Sequence, residues 1–326
     1  MLVNRFYKYV AVASLAMSLY AGTAWANNPL ALPENGLALK GSAKQEYMTK
    51  YFADYLKVRG GAFVVPSDWE QQNLNYKNFT AEHYHKAEAA QGKAILYLHG
   101  GGYVGKAGNG HRLISLKEAE LFGAGDVFMP DYRLAPKHVY PAALEDAAVM
   151  YQGMLDRGFE PSKIVFVGDS AGGNLALALA VYAREHNMPQ PGAIILASPW
   201  STLENKKGTS REYNAHKDVI VGEGTPLYPA VLKAEYRGKL SRKSPLISPI
   251  YSDLSKLPPM LIQAGGNEIF LTECQALAAQ AAKYGVEVTL TTYAEMPHDF
   301  ALLLPDMQES INSLKEMQSF VQRYMK

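Results

Sequence analysis

Short apolar runs alternate with longer segments of helical spacing from residue 94 onward. The runs are short enough to predict buried strands at 94–98, 126–130, 164–167, 193–197, 260–264 and 286–293. The segments between and after them predict helices at 113–122, 140–157, 172–186, 272–284 and 306–325. Strands that alternate with helices of this length predict an α/β fold, with a mostly parallel sheet covered by helices on both faces.

The alternation breaks at residues 201–245, which are polar and rich in Gly, Lys and Tyr. An insertion at this point is expected over the carboxyl ends of the strands, where open α/β sheets bind ligands. Residues 27–75 are mixed, with helical spacing around 44–58. The two segments together predict a mainly helical cap on a single domain spanning 27–326.

Composition and charge narrow the class of protein. The 326 residues are 48% hydrophobic and 19% charged, which is a globular balance. A formal net charge of +1 gives no electrostatic attraction to nucleic acid or to an anionic membrane. The single cysteine, Cys274, excludes an internal disulfide, and its place in the predicted helix 272–284 indicates a small buried residue.

The first 26 residues have the pattern of a signal peptide. Arg5 and Lys8 form a basic start, residues 9–25 carry no charge, and Ala24 and Ala26 offer the small residues of a cleavage site. The pattern predicts export to the periplasm or the medium after cleavage near Ala26, with no membrane span in the mature protein. A membrane anchor and a helix covering the active site are the alternatives.

The segment Gly168-Asp169-Ser170-Ala171-Gly172 follows a predicted strand and precedes a predicted helix. Gly-x-Ser-x-Gly in that setting is typical of a nucleophile elbow, with Ser170 as the nucleophile. The alternative is an ordinary strand-to-helix turn with glycines present for packing. Asp169 is interpreted as structural, not as a catalytic acid.

A glycine loop, His99-Gly100-Gly101-Gly102-Tyr103, follows the strand at 94–98. Consecutive glycines allow backbone N–H groups to face a developing oxyanion, so Gly101 and Gly102 are predicted donors, together with Ala171. A plain flexible loop is the alternative. A phosphate-binding loop is disfavoured, because the Gly-Lys-Ser/Thr sequence that it needs is missing.

His298 is the histidine that follows the last predicted strand, which makes it the predicted general base. Glu268 follows the strand at 260–264 and lies between Ser170 and His298 in chain order, as a triad acid does in this type of sheet. Asp253 and Glu273 are competing acids. The remaining histidines have no such setting, although His111 follows the glycine loop and is placed to buttress it.

Several ordered blocks resemble the hormone-sensitive-lipase-like esterases, the bacterial family IV group, over roughly residues 80 to 325. The blocks are HGGGY at 99–103, DYRLAP at 131–136, YPAALED at 140–146, GDSAGGN at 168–174, SPW at 198–200, SPIYSDLSKLPPMLIQAG at 248–265 and MPH at 296–298. The resemblance implies an α/β-hydrolase fold with a Ser170, Glu268 and His298 triad and the oxyanion donors given above. It also implies core-stabilising roles for Asp131, Arg133 and Asp146. Lys137 departs from the family, which usually has Glu there, and the cap matches weakly.

The predicted function is therefore that of a serine carboxylesterase acting on short- to medium-chain acyl esters, through an acyl-enzyme and without a metal or organic cofactor. A deacetylase, an amidase or an acyltransferase would use the same triad, and fold alone does not separate them. A non-catalytic ligand-binding protein on this scaffold is a further alternative. The expected partner is a small-molecule ester and not nucleic acid. The sequence leaves the oligomeric state open, a homodimer included.

Overall fold

A computed structural model describes residues 29–58, 62–87 and 92–325. The predicted signal peptide, residues 1–26, lies outside the described residues. The strands are β1 Glu70–Asn75, β2 Thr80–His85, β3 Ala94–Leu98, β4 Asp126–Asp131, β5 Ile164–Asp169, β6 Ala193–Ala197, β7 Met260–Gly265 and β8 Val288–Tyr293. The α-helices are α1 Gly41–Val58, α2 Asn109–Phe122, α3 Ala142–Asp156, α4 Ser170–Glu185, α5 Ser210–Tyr213, α6 Tyr228–Lys233, α7 Leu271–Lys283, α8 Phe300–Leu303 and α9 Gln308–Tyr324.

The eight strands form one sheet in the order β1-β2-β4-β3-β5-β6-β7-β8. The pairs from β4 to β8 are parallel, while β2 pairs antiparallel with both β1 and β4. The predicted mostly parallel sheet is thus confirmed. Because these strands are parallel, their carboxyl ends lie along the same end of the sheet. Helices connect them, as parallel strands require.

Both faces of the sheet are buried, as the continuous apolar runs predict. In β5, Ile164 and Phe166 belong to a core cluster on one face, and Val165 and Val167 belong to a second cluster on the other. Successive side chains of a strand point to opposite faces, so one four-residue apolar run can supply both clusters. Helices α3 and α4 pack beside each other on the first face, and α2 packs against α9 on the second.

Strands β1 and β2 were not predicted, and β1 corrects the boundary expected for the N-terminal cap segment. Residues Glu70–Asn75, placed in the cap by the sequence, pair with β2 at the edge of the sheet. Only Leu74 of β1 is buried, so the strand has neither an apolar run nor a full alternation to reveal it. An edge strand packs few side chains into the core, and the polar sequence reflects this.

The C-terminal helix predicted over 306–325 is present as α9, Gln308–Tyr324. The structure adds the short α8, Phe300–Leu303, which was not predicted. Pro305 separates them, since proline lacks the N–H group that a continuing helix would need. Among the residues that the structure describes, no helix combines the length and the apolar composition needed to cross a membrane.

Candidate active site

The turn between β5 and α4 holds Ser170 in a left-handed backbone conformation, with φ of 52°. Two glycines make this turn feasible. A Cβ atom at Gly168 would lie 2.4 Å from the carbonyl oxygen of Gly172, and one at Gly172 would lie 1.8 Å from the carbonyl oxygen of Leu98. Both positions therefore require glycine, and the tight packing presents Ser170 at the carboxyl end of β5, where α4 begins.

His298 lies in the loop after β8 and reaches Ser170 from the neighbouring part of the same sheet edge. Its Nε2 atom is 2.8 Å from Oγ of Ser170, which is a hydrogen-bond distance. The side chain is buried, and its ring meets the ring of Phe270 edge to face with the centroids 4.9 Å apart. The structure thus brings the predicted nucleophile and base together.

Glu268 is fully buried in the loop directly after β7. Its Oε2 atom accepts hydrogen bonds from the hydroxyl of Ser198 at 2.6 Å and from the N–H of Gly265 at 2.8 Å. Its negative charge raises the pKa of His298. No hydrogen bond joins the two side chains, however, and Nδ1 of His298 has no hydrogen-bond partner among the described residues. Glu268 is therefore beside the base without the imidazole contact expected of a triad acid.

The two competing acids have other partners. Asp253 is exposed and accepts the N–H of Ser255 at 2.7 Å. Glu273 forms a buried ion pair with Arg211, which belongs to the inserted segment. Both carboxylates are thus engaged by partners other than His298.

Asp299 also lies in the candidate site, where the sequence did not predict it. Its Oδ2 atom lies 3.0 Å from Nε2 of His298, the same ring nitrogen that contacts Ser170. Its N–H donates to Oγ of Ser198, the hydroxyl that also donates to Glu268. Neighbouring side chains in an extended chain point to opposite sides. The position of Asp299 next to His298 in the sequence therefore does not predict that the two side chains meet. The position depends on a left-handed backbone, with φ of 50°, that the sequence does not reveal.

Several buried carboxylates surround the single imidazole of His298. Burial alone would lower the pKa of His298, but these carboxylates outweigh it, Asp299 first among them, and raise that pKa to about 9. The others belong to Glu268 and Asp218. Burial raises the pKa of Glu268 to about 8 and that of Asp299 to about 6. One imidazolium cannot neutralise three carboxylates. The imidazole of His298 and the carboxylates around it therefore hold their protons tightly.

The glycine loop after β3 faces Ser170. Gly101 and Gly102 have φ of 105° and 64°, which are conformations that favour glycine. In the described part of the chain neither N–H group donates a hydrogen bond, and both residues line the same cavity as Ser170. The N–H of Ala171 lies in the first turn of α4, where helical N–H groups lack an intrahelical acceptor. Three backbone donors are therefore available near the nucleophile.

A buried network fixes the glycine loop from behind. Oδ1 of Asp169 accepts the hydroxyl of Tyr97 at 3.0 Å and the N–H of Gly100 at 3.1 Å. Nε2 of His111 lies 3.5 Å from Oδ2 of Asp169, and Nδ1 of His111 accepts the N–H of Gly108 at 3.0 Å. Burial would lower the pKa of His111, but the charge of Asp169 outweighs it and raises that pKa. Both side chains thus hold backbone in place.

A cavity of about 510 Å³ lies over Ser170 and His298. Its apolar lining consists of Phe52, Val104, Trp200, Ile220, Val221, Leu227, Ala230, Val231, Leu302 and Leu303. Phe52 belongs to α1, and residues 220–231 belong to the inserted segment, so both segments expected to form a cap contribute to the walls. A mostly apolar cavity with a few polar groups at one end is typical of a small-molecule site.

The first part of the inserted segment is bound to the loop that carries Glu268. Nδ2 of Asn214 donates to the carbonyl oxygens of Gly266 and Glu268, at 3.2 and 3.0 Å. Oδ2 of Asp218 accepts the N–H of Ile269 at 3.0 Å. These contacts are buried or partly buried, so this part of the insertion is continuous with the framework of the site.

Comparison with known proteins agrees with this fold. A family model described as the alpha/beta hydrolase fold matches residues 95–302. A solved esterase of the bacterial hormone-sensitive lipase family superposes with a TM-score of 0.78 at 30% identity, over 88% of this chain and 100% of that chain. The chain belongs to the hormone-sensitive-lipase-like α/β-hydrolases. The fold and family predicted from the sequence are confirmed.

Curated relatives of this hydrolase are ester hydrolases by name. A carboxylesterase/phospholipase of Mycobacterium tuberculosis, LipF, is 33% identical over 256 residues, which are 76% of this chain and 68% of the relative. An acetyl-hydrolase of Streptomyces hygroscopicus is 32% identical over 230 residues, which are 71% of this chain and 75% of the relative. The predicted enzyme class, a carboxylic ester hydrolase, is confirmed.

Proposed function

We propose that this hydrolase is a serine carboxylesterase for short- to medium-chain acyl esters, with Ser170 as nucleophile and His298 as general base. The observation that carries the proposal is the 2.8 Å contact between Nε2 of His298 and Oγ of Ser170, at one end of an apolar cavity. A nucleophile hydrogen-bonded to a base within a substrate-sized cavity is the arrangement that acyl transfer requires.

The reaction has two halves. His298 removes the proton of Ser170 while Oγ attacks the ester carbonyl carbon, and the N–H groups of Gly101, Gly102 and Ala171 stabilise the oxyanion that forms. Protonated His298 then gives its proton to the departing alcohol, which leaves an acyl-enzyme. Water that loses a proton to His298 attacks this ester, and collapse of the second oxyanion releases the acid and restores the Ser170 hydroxyl.

We assign the role of triad acid to Glu268, supported by its buried position after β7 and its charge on His298. The bonds from Ser198 and Gly265 hold its carboxylate in place. Asp299 adds a second negative charge at Nε2. Both carboxylates stabilise the imidazolium that forms during attack, and Asp299 also favours that imidazolium before substrate binds.

The walls of the cavity support the acyl range that we propose. Phe52 and Trp200 are large, and Ile220, Val221 and Val231 come from the inserted segment, so the apolar space is bounded on several sides. We propose that α1 and this insertion form a cap that admits short and medium chains. A related solved esterase, EstE5, 32% identical with a TM-score of 0.73, was soaked with p-nitrophenyl butyrate.

The deciding experiment measures hydrolysis of p-nitrophenyl esters from acetate to palmitate by the native protein and by Ser170→Ala. We expect activity that peaks at short or medium chains and is abolished in Ser170→Ala. Ser201→Ala is the matched control, because that buried serine bonds to the carbonyl of Glu273 and should leave hydrolysis intact. Equal activity in the native protein and Ser170→Ala would contradict the proposal.

A deacetylase is the second candidate, because one relative is named an acetyl-hydrolase. Acetylated sugars and acetamides, assayed beside p-nitrophenyl acetate, separate this function from a general esterase. A kcat/KM for an acetylated sugar well above that for p-nitrophenyl butyrate would favour the deacetylase.

We also propose that residues 1–26 direct export and are removed near Ala26, on the strength of the basic start and uncharged run. N-terminal sequencing of the protein recovered from a bacterial periplasmic fraction tests this. An intact N-terminus in the cytoplasmic fraction would contradict it.

A further inference from the structure

A cluster of two histidines and one aspartate lies on the sheet away from Ser170. His83 and His85 project from one face of β2, because residues two apart on a strand share a face. Asp126 begins β4, and its Cα is the cross-strand partner of the Cα of His85. The potential metal-binding atoms of the three side chains all lie within 4.8 Å of one another.

The two imidazoles converge on one oxygen atom. Nε2 of His83 and Nδ1 of His85 lie 2.8 and 2.9 Å from Oδ1 of Asp126. Each ring nitrogen donates a hydrogen to the carboxylate in this arrangement. A neutral imidazole can carry its hydrogen on the other ring nitrogen instead, which turns the facing nitrogen into a lone-pair donor. The same three side chains then offer two nitrogen ligands and a carboxylate oxygen to a cation.

The cluster is held in place and is open to solvent. The ring of His83 stacks on the ring of Phe128, with the centroids 4.1 Å apart and the planes at 7°. The side chains of His83 and Asp126 are 16% and 11% exposed, whereas that of His85 is 47% exposed. Two ligands are therefore fixed by packing, and the third lies where an ion and its waters can enter.

We propose that His83, His85 and Asp126 bind a divalent transition-metal ion, with Zn²⁺ as the representative of the class. Imidazole and carboxylate ligands suit Zn²⁺, Co²⁺ and Ni²⁺, while Ca²⁺ and Mg²⁺ take oxygen ligands. A tetrahedral ion needs a fourth ligand, which water supplies. Glu70 is a protein alternative, because its Cα pairs with that of His85 on the other side of β2 and directly opposed side chains share a face.

The position of the cluster indicates what the ion does. Asp126 starts β4, so the cluster lies at the amino ends of the parallel strands, and Ser170 follows the carboxyl end of β5. An ion at this place joins β2, the second strand of the sheet, to β4 and takes no part in ester hydrolysis. The ligands come from two strands that are more than 40 residues apart in sequence. No short sequence motif therefore predicts the site.

Calorimetric titration with Zn²⁺ tests the proposal, on purified protein that carries no polyhistidine tag and has been treated with a chelator. We expect one equivalent to bind at the cluster. Loss of a ligand in His85→Gln or Asp126→Asn should weaken binding by at least the ~10–100-fold that loss of an outer-shell partner costs. His216→Gln is the matched control, because that side chain is 81% exposed and lies outside the cluster.

A second series separates this site from the catalytic histidine, which also presents a ring nitrogen. Zn²⁺ binding that persists in His298→Gln and is lost in His85→Gln supports the proposal, as does a Zn²⁺-dependent rise in Tm that His85→Gln lacks. Equal affinity in the native protein and His85→Gln, or no binding to the native protein at millimolar Zn²⁺, overturns it. His85 is half-exposed, so its substitution leaves the core intact, and His85→Gln should hydrolyse esters at the native rate.

Discussion

Replacement of Asp299 by Asn tests how the buried carboxylates tune the base. The change keeps the size of the side chain and removes the negative charge that lies 3.0 Å from Nε2 of His298. Neutral imidazole is the form that accepts the proton of Ser170. In a plot of kcat/KM against pH, the limb at low pH therefore reports the pKa of His298 in the free enzyme.

The magnitude follows from the surroundings of the imidazole. The pKa of His298 is about 9, against 6.5 for the ordinary value, and Asp299 is the largest of the causes that raise it. An opposite charge at this range shifts a pKa by about 1–3 pH units. Glu268 and Asp218 still act in the variant, so we expect the limb of Asp299→Asn to move down by about 1–2 pH units. The sign is downward because loss of a negative charge disfavours the imidazolium.

The assay is kcat/KM for p-nitrophenyl butyrate across the pH range in which the ester is stable, corrected for spontaneous hydrolysis. Asp253→Asn is the control, because that carboxylate is exposed and accepts the N–H of Ser255. The control should keep the native limb. A limb in Asp299→Asn that coincides with the native one would show that Asp299 does not act on the base, and the electrostatic reasoning would be wrong.

Three further substitutions test other parts of the structure. Glu268→Gln should lower kcat by about 10²–10⁴-fold with little change in KM, since neutralising a triad acid weakens the base. Gly172→Ala should destabilise the fold by about 3 kcal/mol or more in denaturant unfolding, because its Cβ would meet the carbonyl oxygen of Leu98 at 1.8 Å. Arg211→Met should cost about 3–5 kcal/mol, because Glu273 would stay buried without its partner.

Each of these three substitutions has a control variant of the same protein. Glu309→Gln removes a carboxylate that binds Lys44, and it should leave kcat unchanged. Gly123→Ala has open space around the new Cβ and φ of 66°, so it measures the backbone cost alone, about 1–2 kcal/mol. The double change Arg211→Met with Glu273→Met should recover most of the lost stability. Equal losses in Gly172→Ala and Gly123→Ala, or no recovery in the double variant, would contradict the packing argument.

The buried parts of the sheet were predictable because they depend on local pattern. The run 193–197 coincides with β6, and the strand at 164–167 differs from β5 only at its end. Strand β1 was not predictable from pattern, since a single buried leucine leaves no periodic signal. Local sequence thus predicts the strands that carry an apolar run or an alternating pattern, while β1 depends on its pairing with β2.

The same distinction applies to the site. Ser170 and His298 stand out because each follows a strand in a recognisable setting, and the structure brings them together. The contact of Asp299 with His298 depends on the left-handed backbone of Asp299, and the bond from Ser198 to Glu268 depends on how separate loops meet. The missing hydrogen bond between Glu268 and His298 is likewise a matter of side-chain orientation, which spacing in the sequence does not determine.

The attachment of Asn214 and Asp218 to the loop of Glu268 constrains how new substrate ranges can evolve. We expect substitutions of Asn214 or Asp218 to alter catalysis and specificity together, so most of them will be eliminated by selection for turnover. Residues Ile220, Val221 and Val231 face the cavity without those bonds to the acid loop. Libraries restricted to these three positions should therefore yield more active variants with altered chain-length preference than libraries spread over the whole insertion.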